Sequence, residues 1–143
     1  MDEKRNITDE SIFVNKRVLL VEDNEINAEV VVAMLQMKNI EVEVVYDGEE
    51  AVDCFEQSPA GYYNAILMDI TMPVMNGVEA SKVIRNLHKQ DAMSVPIIAV
   101  TANDMFENRF LARKYGIDDY IPKPIEPESL YAILATWFQK YKA

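Results

Sequence analysis

The stretch Ala-Ile-Leu-Met-Asp at residues 65–69, followed by Ile-Thr-Met-Pro-Val-Met-Asn-Gly at residues 70–77, decides the fold. A short apolar run bounded by turn-forming residues is typical of a buried strand. The proline and glycine beyond it force the chain to turn. The sequence therefore predicts that Asp69 lies at the carboxyl end of a strand. In an open α/β sheet this is the edge at which ligands bind.

The rest of the chain alternates between strand and helix patterns on either side of this stretch. Five β-α units in succession imply one α/β domain, a doubly wound five-stranded parallel sheet with helices on both faces and right-handed crossovers. The predicted strands are 18–21, 41–46, 65–69, 96–100 and 119–121, and helical spacing runs through 26–37, 48–55, 76–87, 105–115 and 127–138.

Two smaller predictions concern side-chain placement. The first helix is predicted from the spacing of its apolar residues, Ile26, Val30, Ala33, Met34 and Met37. We interpret the methionines away from Asp69 as core residues.

Residues 1–16 are polar and of mixed charge, and we assign them to a linker or N-terminal extension that precedes a domain at residues 17–141.

Composition limits the possible functions. The 143 residues fit one domain with a hydrophobic core. The net charge of −10 argues against direct nucleic-acid binding, because a phosphate backbone is bound mainly by cationic side chains. No stretch approaches the length of a membrane span. Cys54 is the single cysteine, which excludes an internal disulfide and suits a reducing compartment. A cytoplasmic location is therefore expected.

Charged and hydroxyl side chains follow four of the five predicted strands. Glu22 and Asp23 follow the first strand, Asp69 ends the third, Thr101 follows the fourth and Lys123 comes just after the fifth. Each alone has an ordinary interpretation, such as an acid at a helix N-terminus or a capping threonine. The carboxyl ends of parallel strands share one edge, so the topology brings these side chains together.

Three clustered carboxylates repel each other, by about 4 kcal/mol for two unit charges 4 Å apart at an effective dielectric of 20. Such a cluster either takes up protons or holds a hard cation, and a few oxygen ligands with room for water suit Mg²⁺. Phosphoryl transfer needs alignment and neutralisation of the phosphoryl oxygens. The pattern predicts Asp69 as the nucleophile, with Mg²⁺, the Lys123 ammonium and the Thr101 hydroxyl on the phosphoryl oxygens. Backbone N–H groups of the turn after Asp69 would complete the cradle.

These motifs together resemble response-regulator receiver domains. The matching segments are Val-Leu-Leu-Val-Glu-Asp-Asn-Glu at 18–25, Ile-Leu-Met-Asp-Ile-Thr-Met-Pro-Val-Met-Asn-Gly at 66–77, Pro-Ile-Ile-Ala-Val-Thr-Ala at 96–102 and Asp-Tyr-Ile-Pro-Lys-Pro at 119–124. The resemblance covers residues 17–141. It implies a flavodoxin-like sheet of strand order 2-1-3-4-5. The Glu-Asp-Asn-Glu-Ile-Asn run at 22–27 is most similar to receivers of hybrid sensor histidine kinases.

The resemblance implies a role for each site residue. Asp69 accepts a phosphoryl group from a phosphohistidine on a histidine kinase or histidine phosphotransfer domain. The expected Mg²⁺ ligands are Glu22, Asp23, Asp69 and the Thr71 carbonyl. Thr101 and Tyr120 are expected to form the switch pair that alters the face around the fourth helix, fifth strand and last helix. Thr71 and Asn103 are expected to tune dephosphorylation, and the Lys123–Pro124 bond is expected to be cis.

The same resemblance implies that the isolated domain is not a turnover enzyme. It is expected to phosphorylate itself from small phosphodonors and to lose the phosphoryl group slowly. The parent protein is expected to be a histidine kinase, with the cytoplasmic domain tethered to a membrane-bound sensor kinase. The sequence leaves homodimerisation upon phosphorylation open.

Three alternatives compete with a hybrid-kinase receiver. A stand-alone response regulator has the same chemistry, and the sequence does not separate the two. A haloacid-dehalogenase-type phosphatase needs a second aspartate two residues after the nucleophile, where this chain has Thr71. A flavodoxin-like cofactor carrier needs a phosphate-binding first loop. The acidic residues 22–25 would repel that phosphate.

Overall fold

The computed structural model describes residues 10–70, 76–102 and 113–141. A parallel sheet of order β2-β1-β3-β4-β5 forms its centre, which confirms the predicted fold class. The strands are β1 Arg17–Val21, β2 Glu41–Val45, β3 Ala65–Asp69, β4 Ile97–Thr101 and β5 Asp119–Pro122. The helices are α1 Glu25–Gln36, α2 Gly48–Gln57, α3 Gly77–Arg85 and a C-terminal helix Pro127–Lys140. A 3₁₀ helix, Glu10–Phe13, precedes β1. Most of the predicted helix at 105–115 lies outside the described residues.

The three central strands are buried on both faces. Successive side chains of a strand point to opposite sides, so each strand supplies both layers of the core. Residues Leu19, Ile66 and Ile97 pack in the layer covered by α2 and α3. The other layer lies under α1 and the C-terminal helix and includes Leu20, Leu67 and Ile98. This two-sided burial explains why the strands read as continuous apolar runs.

Three of the helices that follow strands, α1, α2 and α3, start at side-chain caps. Asn24 accepts a hydrogen bond from the Asn27 N–H at the start of α1, and Asp47 accepts one from the Glu50 N–H at the start of α2. Asn76 forms a capping box at α3. Each cap satisfies backbone donors that the first turn leaves without a partner and stabilises the helix by about 1 kcal/mol. The caps therefore fix where the chain turns after β1, β2 and β3.

The predicted apolar stripe of α1 is on the solvent side of the helix. Ile26 is 72% exposed, Val30 49% and Met37 78%. The buried face consists instead of Ala28, Val31 and Leu35. At 3.6 residues per turn these two sets lie on opposite sides of the helix. The interpretation of distant methionines as core residues is therefore wrong for Met37, and it is also wrong for Met93, which is 75% exposed.

Part of the segment assigned to a linker packs on the domain. Phe13 is fully buried, and its ring makes edge-to-face contacts with Tyr131 at 6.4 Å and Phe138 at 6.2 Å between centroids. Glu10 forms an ion pair of 2.9 Å with Lys38, just beyond α1. The 3₁₀ helix thus contacts both the C-terminal helix and the chain after α1.

At the edge of the sheet opposite Asp69, a buried ion pair joins the α2–β3 loop, the α3–β4 loop and the end of the C-terminal helix. The Lys89 ammonium lies 2.6 Å from the Asp91 carboxylate, and both side chains are nearly inaccessible to solvent. Asp91 also accepts hydrogen bonds from the Gly61 N–H and the Tyr141 hydroxyl. Burial alone would raise the pKa of Asp91, but the Gly61 N–H and Lys89 outweigh it and lower that pKa below its ordinary value.

Candidate metal-binding and phosphoacceptor site

The carboxyl edge of the sheet gathers the acidic side chains that the sequence singles out. Parallel register places Val21 beside Met68 and Asp69 beside Val100, so the residues that follow β1 meet the last residue of β3. Among the described residues, carboxylate oxygens of Glu22, Asp23 and Asp69 lie within 4.8 Å of one another. Glu22 and Asp69 are buried, whereas Asp23 is exposed. The cluster therefore has one side open to solvent.

Lys123 joins this cluster from the neighbouring end of β5. Its Nζ donates to Asp69 Oδ1 at 3.2 Å. The Lys123 side chain is 31% exposed and that of Asp69 is 3% exposed. The Lys123 N–H also donates to the Thr101 carbonyl, which ties its backbone to β4. A cation is thus held on Asp69 at a position from which it can also contact an incoming anionic group.

Burial and the neighbouring Asp69 carboxylate both perturb the pKa of Glu22. Burial, and then the neighbouring Asp69, raise the pKa of Glu22 to about 7, although the Asn24 N–H and Lys123 act in the opposite direction. The Asn24 N–H donates to Glu22 Oε2 at 3.1 Å. A cation among these oxygens would favour the ionised carboxylate. Carboxylate oxygens open to water are the ligand set that suits Mg²⁺.

Gly77 is a site residue whose role the sequence did not reveal. A Cβ placed on Gly77 would lie 2.4 Å from the backbone oxygen of Asp69 and 2.9 Å from Ile70 Cα. The Gly77 N–H donates to the Ile70 carbonyl at 3.1 Å. Glycine therefore lets the start of α3 pack directly on the backbone of the predicted nucleophile. The Asn-Gly pair at 76–77 is the sequence signal, and it predicts a turn and a helix start but not this close contact.

The two predicted switch residues occupy neighbouring strands. Thr101 is the buried last residue of β4. Tyr120 lies in β5 beside Ala99 and is partly buried against the core layer under α2 and α3. The Lys123–Pro124 peptide bond is cis. Thr71 and Asn103, expected to supply a metal ligand and to tune dephosphorylation, lie outside the described residues.

A groove of about 450 Å³ runs from the acidic cluster along α1. At one end it is bounded by Glu22 and Lys123, and its walls include Val30 and Met34 of α1 and Ile125 beyond β5. The solvent-facing apolar side of α1 therefore continues into a groove that reaches the site. The same apolar spacing that predicted the helix marks this face, but spacing alone does not distinguish an exposed face from a buried one.

A parallel α/β sheet with three carboxylates and a lysine at its carboxyl edge defines a phosphoacceptor type of signalling domain. The chain belongs to the response regulator receiver domain family, whose model matches residues 18–135. It is thus a receiver domain of two-component or phosphorelay signalling, related to the receivers of hybrid histidine kinases.

Relatives and solved structures agree with this assignment. Hybrid signal transduction histidine kinase I of Dictyostelium discoideum is 35% identical over 133 residues, which are 92% of this chain and 8% of that protein. The chain also spans 18% of two-component system protein A of Emericella nidulans. It therefore matches less than a fifth of either protein.

Two solved structures are informative about ligands and partners. The receiver domain of sensor histidine kinase PA1611 from Pseudomonas aeruginosa has 39% identity and a TM-score of 0.75, and the match covers 87% of this chain and 98% of that one. That receiver was crystallised with magnesium coordinated in its active site cleft. The receiver domain of Ssk1 from Saccharomyces cerevisiae, crystallised with the histidine phosphotransfer protein Ypd1, has 30% identity and a TM-score of 0.76, covering 89% and 91% of the two chains.

No helix in the described segments is long and apolar enough to cross a membrane.

Proposed function

We propose that Asp69 is the phosphoacceptor of this receiver domain and that it takes a phosphoryl group from a phosphohistidine of a partner protein in the presence of Mg²⁺. The observation that carries this proposal is the meeting of Glu22, Asp23 and Asp69 within 4.8 Å, with the Lys123 ammonium 3.2 Å from Asp69. The magnesium in the cleft of the Pseudomonas receiver supports the same site in this chain.

In the proposed reaction an oxygen of Asp69 attacks phosphorus, a P–O bond forms and the P–N bond to the partner's imidazole breaks. Lys123 moves from its contact with Asp69 to a phosphoryl oxygen, since the acyl phosphate spreads the negative charge outward. When bound by Glu22, Asp23, Asp69 and the carbonyl of Thr71, Mg²⁺ supplies further charge neutralisation. Release of the phosphoryl group to water is slow, and Thr71 and Asn103 set its rate.

The proposed response to phosphorylation starts at Thr101. Its hydroxyl hydrogen-bonds a phosphoryl oxygen, Tyr120 turns into the space that becomes available, and the face around β5 and the C-terminal helix changes. To move the population from 1:99 to 99:1, the phosphoryl group must favour the active form by about 5.5 kcal/mol. A charge-assisted hydrogen bond and a shielded ammonium–phosphate pair have that order of magnitude.

The partner that delivers the phosphoryl group is proposed to dock on α1. Ile26, Val30 and Met37 expose an apolar face that continues into the groove ending at Glu22 and Lys123. A histidine phosphotransfer domain or histidine kinase that covers this face would bring its imidazole to Asp69. The complex of the Ssk1 receiver with Ypd1 supports a partner of this class.

The wider context of the domain is also a proposal. Similarity to hybrid histidine kinases favours a receiver within such a kinase, on the cytoplasmic side of the membrane, with residues 1–16 linking it to the kinase core. The stand-alone response regulator is the second candidate, and homodimerisation upon phosphorylation through the face around β5 is an extension of either. Both use the same chemistry at Asp69.

The decisive experiment is treatment of the purified chain with acetyl phosphate and Mg²⁺, followed by intact mass measurement. The wild type should gain about 80 Da, the mass of one phosphoryl group on a carboxylate nucleophile. Asp69→Asn should gain nothing, whereas Asp53→Asn, which removes an exposed carboxylate of α2, should gain the same mass as the wild type. Chelation of Mg²⁺ should abolish the gain, and a gain by Asp69→Asn would refute the assignment.

A further inference from the structure

A second cavity lies at the amino edge of the sheet, opposite the phosphoacceptor site. It has a volume of about 540 Å³ and is formed by the end of α3, the residues that lead into β5 and the C-terminal helix. Its chemistry is set by six side chains, Lys82, Arg85, Met93, Arg113, Lys114 and Trp137. Because α3 runs back from the carboxyl edge, its last turn lies at the far end of the sheet from Asp69.

The cavity is cationic although the whole chain is acidic. Four of the 14 lysines and arginines line it, together with a single carboxylate, Asp118, in a chain of net charge −10. The Arg85 guanidinium already has protein partners, since it donates to Asp118 at 2.8 Å and to the carbonyls of Gly116 and Ala92. Arg85 and Asp118 therefore form a neutral wall of the cavity.

Three cations remain at the cavity mouth. Lys82 lies with its Nζ 5.4 Å from the centroid of the Tyr115 ring. Arg113 and Lys114 are exposed. In the described part of the chain, no ion pair is formed by Lys82, Arg113 or Lys114. The mouth thus keeps a positive charge that is available to an anion.

Apolar and aromatic groups adjoin these cations. Met93 is 75% exposed, and Trp137 presents part of its ring to the cavity while its Nε1–H donates to Asp119 Oδ2 at 2.9 Å. Methionine, tyrosine, tryptophan and arginine are the residue types enriched in protein interfaces. The cavity therefore combines charge with apolar contact surface.

We propose that this cavity binds an acidic segment of a partner protein that also carries an apolar side chain. The segment's carboxylates pair with Lys82, Arg113 and Lys114, and its apolar side chain contacts Met93 and Trp137. Three separate cations beside Met93 and Trp137 suit a chain that carries several carboxylates and an apolar side chain better than one compact anion, which has no apolar part. Positive charges at the edge of an interface speed the association of a negatively charged partner and disfavour positively charged ones. This site is separate from Asp69 and does not depend on phosphorylation.

The test uses the purified chain and a fluorescein-labelled peptide of sequence Glu-Asp-Glu-Leu-Asp-Glu-Asp, read by anisotropy. Trp137, the single tryptophan, gives a second signal from inside the cavity. The peptide should bind saturably, change the emission of Trp137 and bind more weakly as salt is added. Lys82→Glu and Lys114→Glu should each weaken binding about tenfold, as expected for reversing one charge at an interface. Asp69→Asn should bind like the wild type.

The controls separate a specific site from general attraction. Lys16→Glu makes the same charge change outside the cavity and should leave the affinity unchanged, with circular dichroism confirming that each variant is folded. The proposal is overturned if Lys16→Glu weakens binding as much as Lys82→Glu does. It is also overturned if a Gln-Asn-Gln-Leu-Asn-Gln-Asn peptide binds equally well. Quenching of Trp137 by inorganic pyrophosphate, with no binding of the acidic peptide, would assign the cavity to a small anion instead.

Discussion

Replacing Phe13 by alanine should strongly destabilise the domain, although Phe13 precedes β1 and lies outside the matched family region. The ring is fully buried and meets Tyr131 and Phe138 edge to face. Burial of a phenylalanine stabilises by about 3 kcal/mol, and each aromatic pair adds about 0.5 kcal/mol or more. Phe13→Ala should therefore lower the free energy of unfolding by about 4 kcal/mol, within the range measured for such truncations in other proteins.

The assay is urea unfolding followed by circular dichroism, with a thermal scan as the second measurement. For a domain of this size a loss of 4 kcal/mol corresponds to a fall in Tm of about 10–15 °C. Val14→Ala is the matched control, because Val14 is the next residue and is 55% exposed. It should change the free energy of unfolding by less than about 0.5 kcal/mol.

A loss below about 1 kcal/mol for Phe13→Ala would refute this reasoning, since the residue would then add no more than an ordinary surface contact. The folded fraction of the variant should still gain the phosphoryl mass from acetyl phosphate. Phe13 precedes the amino end of β1, whereas Asp69 lies at the carboxyl edge of the sheet. Confirmation would support a folding unit that includes Phe13, ahead of the boundary at residue 17.

Three further predictions concern the site and its supports. Gly77→Ala should lower the free energy of unfolding by about 2 kcal/mol or more, and slow phosphorylation, because its Cβ meets the Asp69 carbonyl; urea titration and intact mass check this. In acid the wild type should lose more of its free energy of unfolding than Asp91→Asn does. Because folding lowers the pKa of Asp91, its carboxylate stabilises the fold above the ordinary pKa of 3.8, and this stability is lost as the pH falls through the pKa of the folded state. A difference in Tm between the two proteins that does not vary with pH would contradict this. Thr101→Ala should accept the phosphoryl group yet show smaller NMR shift changes in β5, and normal changes would exclude Thr101 from the switch.

The sheet and the site's acidic cluster were predictable from the sequence for one reason. Parallel strands deliver the residues that follow them to a common edge, so the topology alone predicts that Glu22, Asp69 and Lys123 lie together. The chemistry of oxygen ligands then pointed to Mg²⁺. The apolar runs were long enough to mark each strand.

Features that depend on packing between distant segments were not predictable. The spacing in α1 gave the helix, but both of its faces carry apolar residues, and burial of Val31 rather than Val30 is decided by the sheet beneath. Phe13 sat in a polar segment with no periodic pattern. The tight contact of Gly77 with Asp69 required the angle at which α3 meets β3, which no local sequence pattern encodes.

The exposed apolar face of α1 has a consequence for how such a domain would be redirected in a signalling network. In the proposed mechanism, the carboxylates that handle phosphorus recognise nothing about the donor beyond its phosphoryl group. In that proposal the donor is recognised by the exposed side chains Ile26, Val30 and Met37, which take no part in bond making. Exchanging those few side chains would therefore change which donor the domain accepts while leaving the phosphoryl transfer reaction unchanged.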